Sequence, residues 1–321
     1  MSSSTSTPAF PPPIIIPPSP ESTHDQTFII LHGRGSTSSQ FAPPLLSTPF
    51  FLDDSTSTST STMTLQSAFP GAKFIFVSAP RSRAAIYKRS LIPQWFDSWH
   101  LCGDDSNLHP SYDPIQSAQT EEWRAIPGLQ DTTSHLHSLI CREADLVGGT
   151  RNIVLGGISQ GCAASLVALM LWDGGERLGG YLGMCGWLPF VEAVKRVVEQ
   201  GGKDKDDEWD PFQRDDDDEL ETEDEEPIDI SASAVRALRE SLELEKGPIC
   251  RPPVFDTPIF LGHGDQDVKV PIAHGREAAE CLKAIGFSAV SWNEYQGLGH
   301  CFSPQMLTDM VKFLESHDKA P

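Results

Sequence analysis

Basic residues are scarce in this chain. Its 321 residues carry 24 Lys and Arg against 45 Asp and Glu, a formal net charge of −21. A cationic face able to neutralise phosphates is therefore lacking, which argues against nucleic-acid partners. Long apolar runs are lacking too. The longest helical one, Ala163 to Trp172, is about half of what a membrane span needs, so no stable membrane insertion is expected. The N-terminus has no basic segment ahead of an apolar one, and its patch Ile14-Ile15-Ile16 is fenced by prolines. That is not the pattern of a secretory signal. Seven cysteines, an odd number, show neither Cys-x-x-Cys nor metal-ligand spacing. Free thiols in a reducing, cytoplasmic setting fit this better than a disulfide framework.

Histidines also fail to form a metal pattern. His135 and His137 are two apart in a predicted helix and face different directions, and His100 and His109 lie in loops. No metal site and no cofactor are expected.

What is present is an alternation of apolar strands and helices. Strands are predicted at Thr27 to Leu31, Lys73 to Ser78, Asn152 to Gly156, Gly180 to Gly186, Pro258 to Leu261 and Ser288 to Tyr295. Helices are predicted at 129–147, 162–170, 191–199, 232–244, 273–285 and 304–316. Such alternation implies an α/β fold with a mostly parallel, doubly wound sheet and helices on both faces. In the first helix Leu129, Leu136, Leu139, Ile140 and Leu146 are expected to point inward. One domain over 26–318 is expected, behind a disordered Ser/Thr/Pro-rich tail over 1–25. Two inserts interrupt it. A Ser/Thr low-complexity stretch covers 53–63, and an acidic stretch covers 203–226, with fifteen Asp and Glu against three Lys and Arg. A carboxylate run of that kind reads as a solvated loop. Residues 80–114 read as an irregular, aromatic-bearing loop region.

One pentapeptide carries chemistry. Gly157-Ile158-Ser159-Gln160-Gly161 follows an apolar strand and precedes a buried-looking helix. Strand, Gly-x-Ser-x-Gly, helix is the context in which a serine becomes a nucleophile. A serine needs a base to take its proton and an acid to orient that base. Downstream, His263-Gly264-Asp265-Gln266-Asp267 and Gly297-Leu298-Gly299-His300 both follow predicted strand ends, the face where open α/β sheets place their sites. Upstream, His32-Gly33-Arg34-Gly35 follows the first strand. Such a loop can donate a backbone N–H to an oxyanion beside the amide that follows the nucleophile.

With these residues in view the chain resembles the phospholipase/carboxylesterase family, whose members include acyl-protein thioesterases. The resemblance rests on Leu31-His32-Gly33-Arg34-Gly35, Phe76-Val77-Ser78-Ala79-Pro80, Trp95-Phe96-Asp97, the Ser159 pentapeptide, Gly186-Trp187-Leu188-Pro189, His263 to Asp267 with Val270-Pro271, and His300. It implies an α/β-hydrolase fold, Ser159 as nucleophile, Asp267 as orienting acid and His300 as base. It also implies an oxyanion hole from the Arg34 and Gln160 amides, and substrate contacts at Trp95, Phe96, Trp187 and Leu188. Asp265 is left as a turn carboxylate capping local amides. The substrates implied are small esters or thioesters, lysophospholipids, or acylated proteins. Two readings stay open beside hydrolysis: an acyltransferase or lyase on the same scaffold, and a non-catalytic binding homologue. Arg34 and Cys162 depart from the family pattern, and they bear on acyl specificity rather than on the chemistry.

Overall fold

Ile14–Ile16 forms an edge strand, β1, antiparallel to a later one, with Ile14 opposite Phe76 and Ile16 opposite Phe74. This corrects the expectation of a disordered tail over 1–25, at least from residue 10 onward. The Pro12 carbonyl accepts from the Ser78 hydroxyl at 3.2 Å, and Phe10 stacks on His135 at 4.0 Å. A strand this short, bracketed by prolines, is tolerated where one side needs no partner. The computed structural model describes residues 10–52, 61–98, 122–201 and 229–318. Most of the Ser/Thr insert, the acidic insert, His100, His109 and the end of the loop region 80–114 lie outside the described residues.

After β1 the chain runs β2 (Gln26–Leu31), α1 (Ser38–Ser47), β3 (Phe50–Leu52), β4 (Ser61–Met63), α2 (Leu65–Ala68), β5 (Ala72–Val77), β6 (Arg81–Ala84) and β7 (Ser90–Pro93). It continues with α3 (Ile126–Val147), β8 (Ile153–Ile158), α4 (Gln160–Met170), β9 (Gly180–Met184), α5 (Val191–Gly201) and α6 (Ile230–Ser241). It closes with β10 (Ile259–Gly264), α7 (Ile272–Ala284), β11 (Val290–Tyr295) and α8 (Pro304–Asp318). Seven strands form one sheet in the order β1-β5-β2-β8-β9-β10-β11. All neighbours except β1 and β5 are parallel.

Both faces of the sheet are covered. Along β2, Ile29 and Leu31 enter one buried cluster, with residues of α3, α4, α5, α6 and α7. Phe28 and Ile30 enter the other, with residues of α1 and α8. Successive strand side chains point to opposite faces, so strands buried on both sides are apolar almost without a break. In α3 the buried stripe runs through Leu129, Leu136, Leu139, Ile140, Ala144 and Val147. Leu146 falls outside it and is 58% exposed, against expectation. The stripe advances in threes and fours from Leu136 to Val147, and position 146 lies at its edge, about two turns beyond Leu139.

Two further segments differ from the sequence reading. Ser61–Met63, placed within the low-complexity insert, pairs with Phe50–Leu52. Arg81–Ala84 and Ser90–Pro93 form an antiparallel hairpin in the segment read as irregular.

Candidate active site

A single residue separates β8 from α4, and it is Ser159. Its backbone has φ 58° and ψ −126°, a conformation that L-residues avoid and that costs of order 1–3 kcal/mol. The strain persists because both flanks are fixed. The Ser159 amide donates to the Met184 carbonyl at 2.8 Å. Every residue of α4 is buried, as fits a helix that is apolar all round. Gly161 lets α4 start hard against the end of β2, since a Cβ there would lie 2.5 Å from the His32 carbonyl oxygen.

Asp267 and His300 are brought together from distant parts of the chain. The parallel register sets His263 beside Glu294 and Gly264 beside Tyr295, so the loops after β10 and β11 leave the sheet at the same level. Backbone bonds then tie the loops to each other: Asp265 N to Tyr295 O at 3.1 Å and Gln266 N to Leu298 O at 3.0 Å. Asp265 is therefore not the local cap expected of it. Its Oδ1 accepts the Gly297 amide of the other loop at 2.7 Å.

The Asp267 carboxylate is wholly buried and fully occupied. Oδ1 accepts the Lys269 and Val270 amides, both at 2.9 Å. Oδ2 accepts His300 Nδ1 at 2.7 Å and faces His263 Nε2 at 3.2 Å. His263 Nε2 also donates to the Val270 carbonyl at 2.8 Å. Burial opposes the charge, but the bonds from His263, His300 and the Val270 amide outweigh it and hold the carboxyl well below the usual range. With its Nδ1 proton committed to Asp267, a neutral His300 keeps a lone pair on Nε2.

Ser159 lies at this same end of the sheet. Its amide is bonded to Met184 at the tip of β9. The next residue, Cys185, donates its amide to Gly262 at 2.8 Å and its thiol to the Cys301 carbonyl at 3.4 Å. Cys185 thus ties the serine turn to strand β10 and to the histidine loop. Among the described residues no hydrogen bond joins the Ser159 hydroxyl to His300. Such bonds are often long before substrate binds.

His32 is a strut. Its Nε2 accepts the Ala79 amide at 3.1 Å, so Nδ1 carries the proton donated to the Gly33 carbonyl at 2.8 Å. Burial pushes its pKa down. The loop it holds touches the serine: a Cβ at Gly33 would lie 3.3 Å from the Ser159 Cβ. The next side chain, Arg34, donates to Ser98 Oγ at 3.0 Å and lies over the Tyr87 ring. The Gln160 side chain was not foreseen as a structural element. Its Oε1 accepts the Trp95 amide at 3.0 Å and its Nε2 donates to the Phe96 carbonyl at 2.7 Å. A buried glutamine opening an otherwise apolar helix was the signal.

Trp95, Phe96, Trp187 and Leu188 are all buried in the core cluster. For Trp95 this corrects the expected substrate contact. It is 1% exposed, and its Nε1 donates to the His32 carbonyl at 2.7 Å, so it braces the loop beside Ser159. Phe96 and Trp187 meet edge to face at 6.1 Å.

Comparison with known proteins gives the family and the fold. The chain matches the Phospholipase/Carboxylesterase family over residues 14–204 and 237–318. It belongs to that family. Acyl-protein thioesterase 1 of Gibberella zeae is 26% identical over 302 residues, covering 94% of each chain. Acyl-protein thioesterase 1 of Cryptococcus neoformans is 25% identical, covering 92% of this chain and 94% of that one. The crystal structure of Zea mays acyl-protein thioesterase 2 superposes with a TM-score of 0.58 at 20% identity, covering 95% of this chain and 98% of that one. The fold is the α/β-hydrolase fold. As a phospholipase/carboxylesterase family member the chain is an esterase-type hydrolase. Among the described residues no helix is long and apolar enough to cross a membrane.

This family member carries Cys162 inside the serine helix. Its thiol is packed so closely that a Cβ at Gly186 would fall 2.3 Å from Sγ. Burial pushes it up to about 11, so it stays a neutral thiol and does not compete as a nucleophile. His135 and His137 have separate partners: His135 stacks on Phe10, and His137 Nε2 bonds the Ala168 carbonyl at 2.8 Å.

Proposed function

We propose that the chain hydrolyses carboxylic esters or thioesters through Ser159, His300 and Asp267. The observation that carries this reading is the 2.7 Å bond from His300 Nδ1 to a buried Asp267, at the sheet end where Ser159 is held in a strained turn. His300 Nε2 takes the hydroxyl proton of Ser159 as its oxygen attacks the acyl carbonyl. Asp267, held ionised, stabilises the imidazolium that forms. The oxyanion is received by the amides of Gln160 and Arg34, at about 3 kcal/mol of barrier per donor. Gln160 suits this because it opens α4, where an amide has no acceptor within the helix. The Gly33 contact with Ser159 brings the Arg34 segment alongside. His300 then protonates the departing alkoxide or thiolate. Water, deprotonated by His300, attacks the acyl-enzyme; the bond to Ser159 Oγ breaks, His300 returns the proton to that oxygen, and the acid is freed. No cofactor enters these steps. Acylated proteins are proposed as substrates beside small esters, a reading supported by relatives that bear the name acyl-protein thioesterase 1. The six described cysteines are all free thiols, which supports a reducing, cytoplasmic setting.

A fluorophosphonate probe and p-nitrophenyl esters test the reading. Wild type is expected to label and turn over, and Ser159→Ala to lose both, turnover by roughly 10⁴-fold or more. Full labelling of the alanine variant would refute the assignment.

A further inference from the structure

Acyl transfer as drawn uses two of three donor groups that meet in the site. The Cys185 Sγ, a carboxylate oxygen of Asp267 and a ring nitrogen of His300 all lie within 4.8 Å of one another. Cys185 is fixed there by backbone. It has φ 48°, and its amide is bonded to Gly262. Its thiol has no part in the proposed chemistry, and burial beside the Asp267 charge keeps it protonated.

We propose that Cys185, Asp267 and His300 form an inhibitory site for a thiophilic divalent cation of the Zn²⁺ class. Sulfur, imidazole nitrogen and carboxylate oxygen together are a zinc set; Mg²⁺ and Ca²⁺ take oxygen ligands. Donors around a tetrahedral zinc stand about 3.5 Å apart, so the widest separation must close by about 1.3 Å at most, and the 2.7 Å contact of His300 with Asp267 must open by somewhat under an ångström. His300 can make that adjustment, since its side chain is 13% exposed while Asp267 is fully enclosed. Asp267 is already oriented from behind by His263 and two amides, the outer support that metal sites use. Coordination expels the thiol proton of Cys185 to solvent. An imidazole bound to the cation is withheld from Ser159, so turnover stops until the cation is removed. This inhibition rests on the proposed role of His300; cation binding itself does not.

Titration of the full-length protein with CdCl₂, in excess MgCl₂ to occupy surface carboxylates, tests the site through the thiolate-to-cadmium absorption band. A band is expected that ZnCl₂ displaces, that Cys301→Ser keeps and that Cys185→Ser abolishes. In p-nitrophenyl acetate hydrolysis Zn²⁺ is expected to inhibit reversibly, with activity restored by EDTA. The inhibition constant should rise about tenfold or more in Cys185→Ser. An undiminished band in Cys185→Ser overturns the site. Should that variant not fold, His300→Gln is expected to weaken Cd²⁺ binding by the same margin, and unchanged affinity there overturns it equally. The two readings fail differently. A protein that binds Cd²⁺ at Cys185 but hydrolyses no ester sinks the hydrolase; an active hydrolase indifferent to Zn²⁺ sinks the cation site.

Discussion

Asp265 holds the amide of Gly297 at 2.7 Å, across a separation of 32 residues. That bond pins the start of the histidine loop to the loop that carries Asp267. Asp265→Ala is expected to lower kcat by roughly ten- to a hundredfold, because small misplacements of a base are costly. Asp265→Asn, whose side-chain oxygen still accepts, is expected to recover most of it. Steady-state kinetics on one p-nitrophenyl ester compare the three proteins; equal kcat in all of them would show that the bond does not position the base.

Asp267→Asn keeps the size of the side chain and removes its charge. His300 then loses the partner that fixes its Nδ1 proton. A fall in kcat of about 10⁴-fold is expected, with circular dichroism like that of wild type. A loss under tenfold would assign the orienting role elsewhere.

The acid stability of the protein follows from the same carboxylate. Its pKa in the folded protein is depressed, so folding favours the ionised form. The stabilisation is fully present above the unfolded-state value near about 4 and is lost as pH falls below that toward the folded value. Thermal melts from neutral to acid pH are expected to show the midpoint of Asp267→Asn converging on that of wild type as pH drops. Parallel curves would contradict the assignment.

Strand β1 seals one edge of the sheet. Removing residues 1–16 deletes it along with Phe10, which stacks on His135. A loss of about 2 kcal/mol or more is expected from the apolar area exposed. Concentration-dependent aggregation through the bared edge of β5 should accompany it. Thermal melts and light scattering read the two effects, and an unchanged midpoint would show that the strand adds nothing.

Much of this was legible in the amino-acid order because the strands that carry the site are buried on both faces. Phe28-Ile29-Ile30-Leu31 and Ile153-Val154-Leu155 announce themselves as unbroken apolar runs. The pentapeptide around Ser159 lies between such a run and a uniformly apolar helix, so the turn was readable as well. Less regular elements were hidden. Helix α1 holds Pro43 and Pro44 within it, against the usual exclusion of proline from helix interiors. Strand β1 is three residues long, and its seat depends on a partner some sixty positions away. Cross-loop contacts left no local trace at all. Nothing in the neighbourhood of Asp265 points to Gly297, and nothing near Cys185 points to His300. The first meeting is a product of the β10–β11 register, and the second needs the β9–β10 register as well.

That register has a consequence for the order of assembly. β11 pairs with β10 near the C-terminal end of the chain. A ribosome that has not yet delivered residues 290–300 has made the serine turn and its helix without the imidazole. On the proposed mechanism such partial products are inert, and competence arrives only once the loop after the last strand is in place.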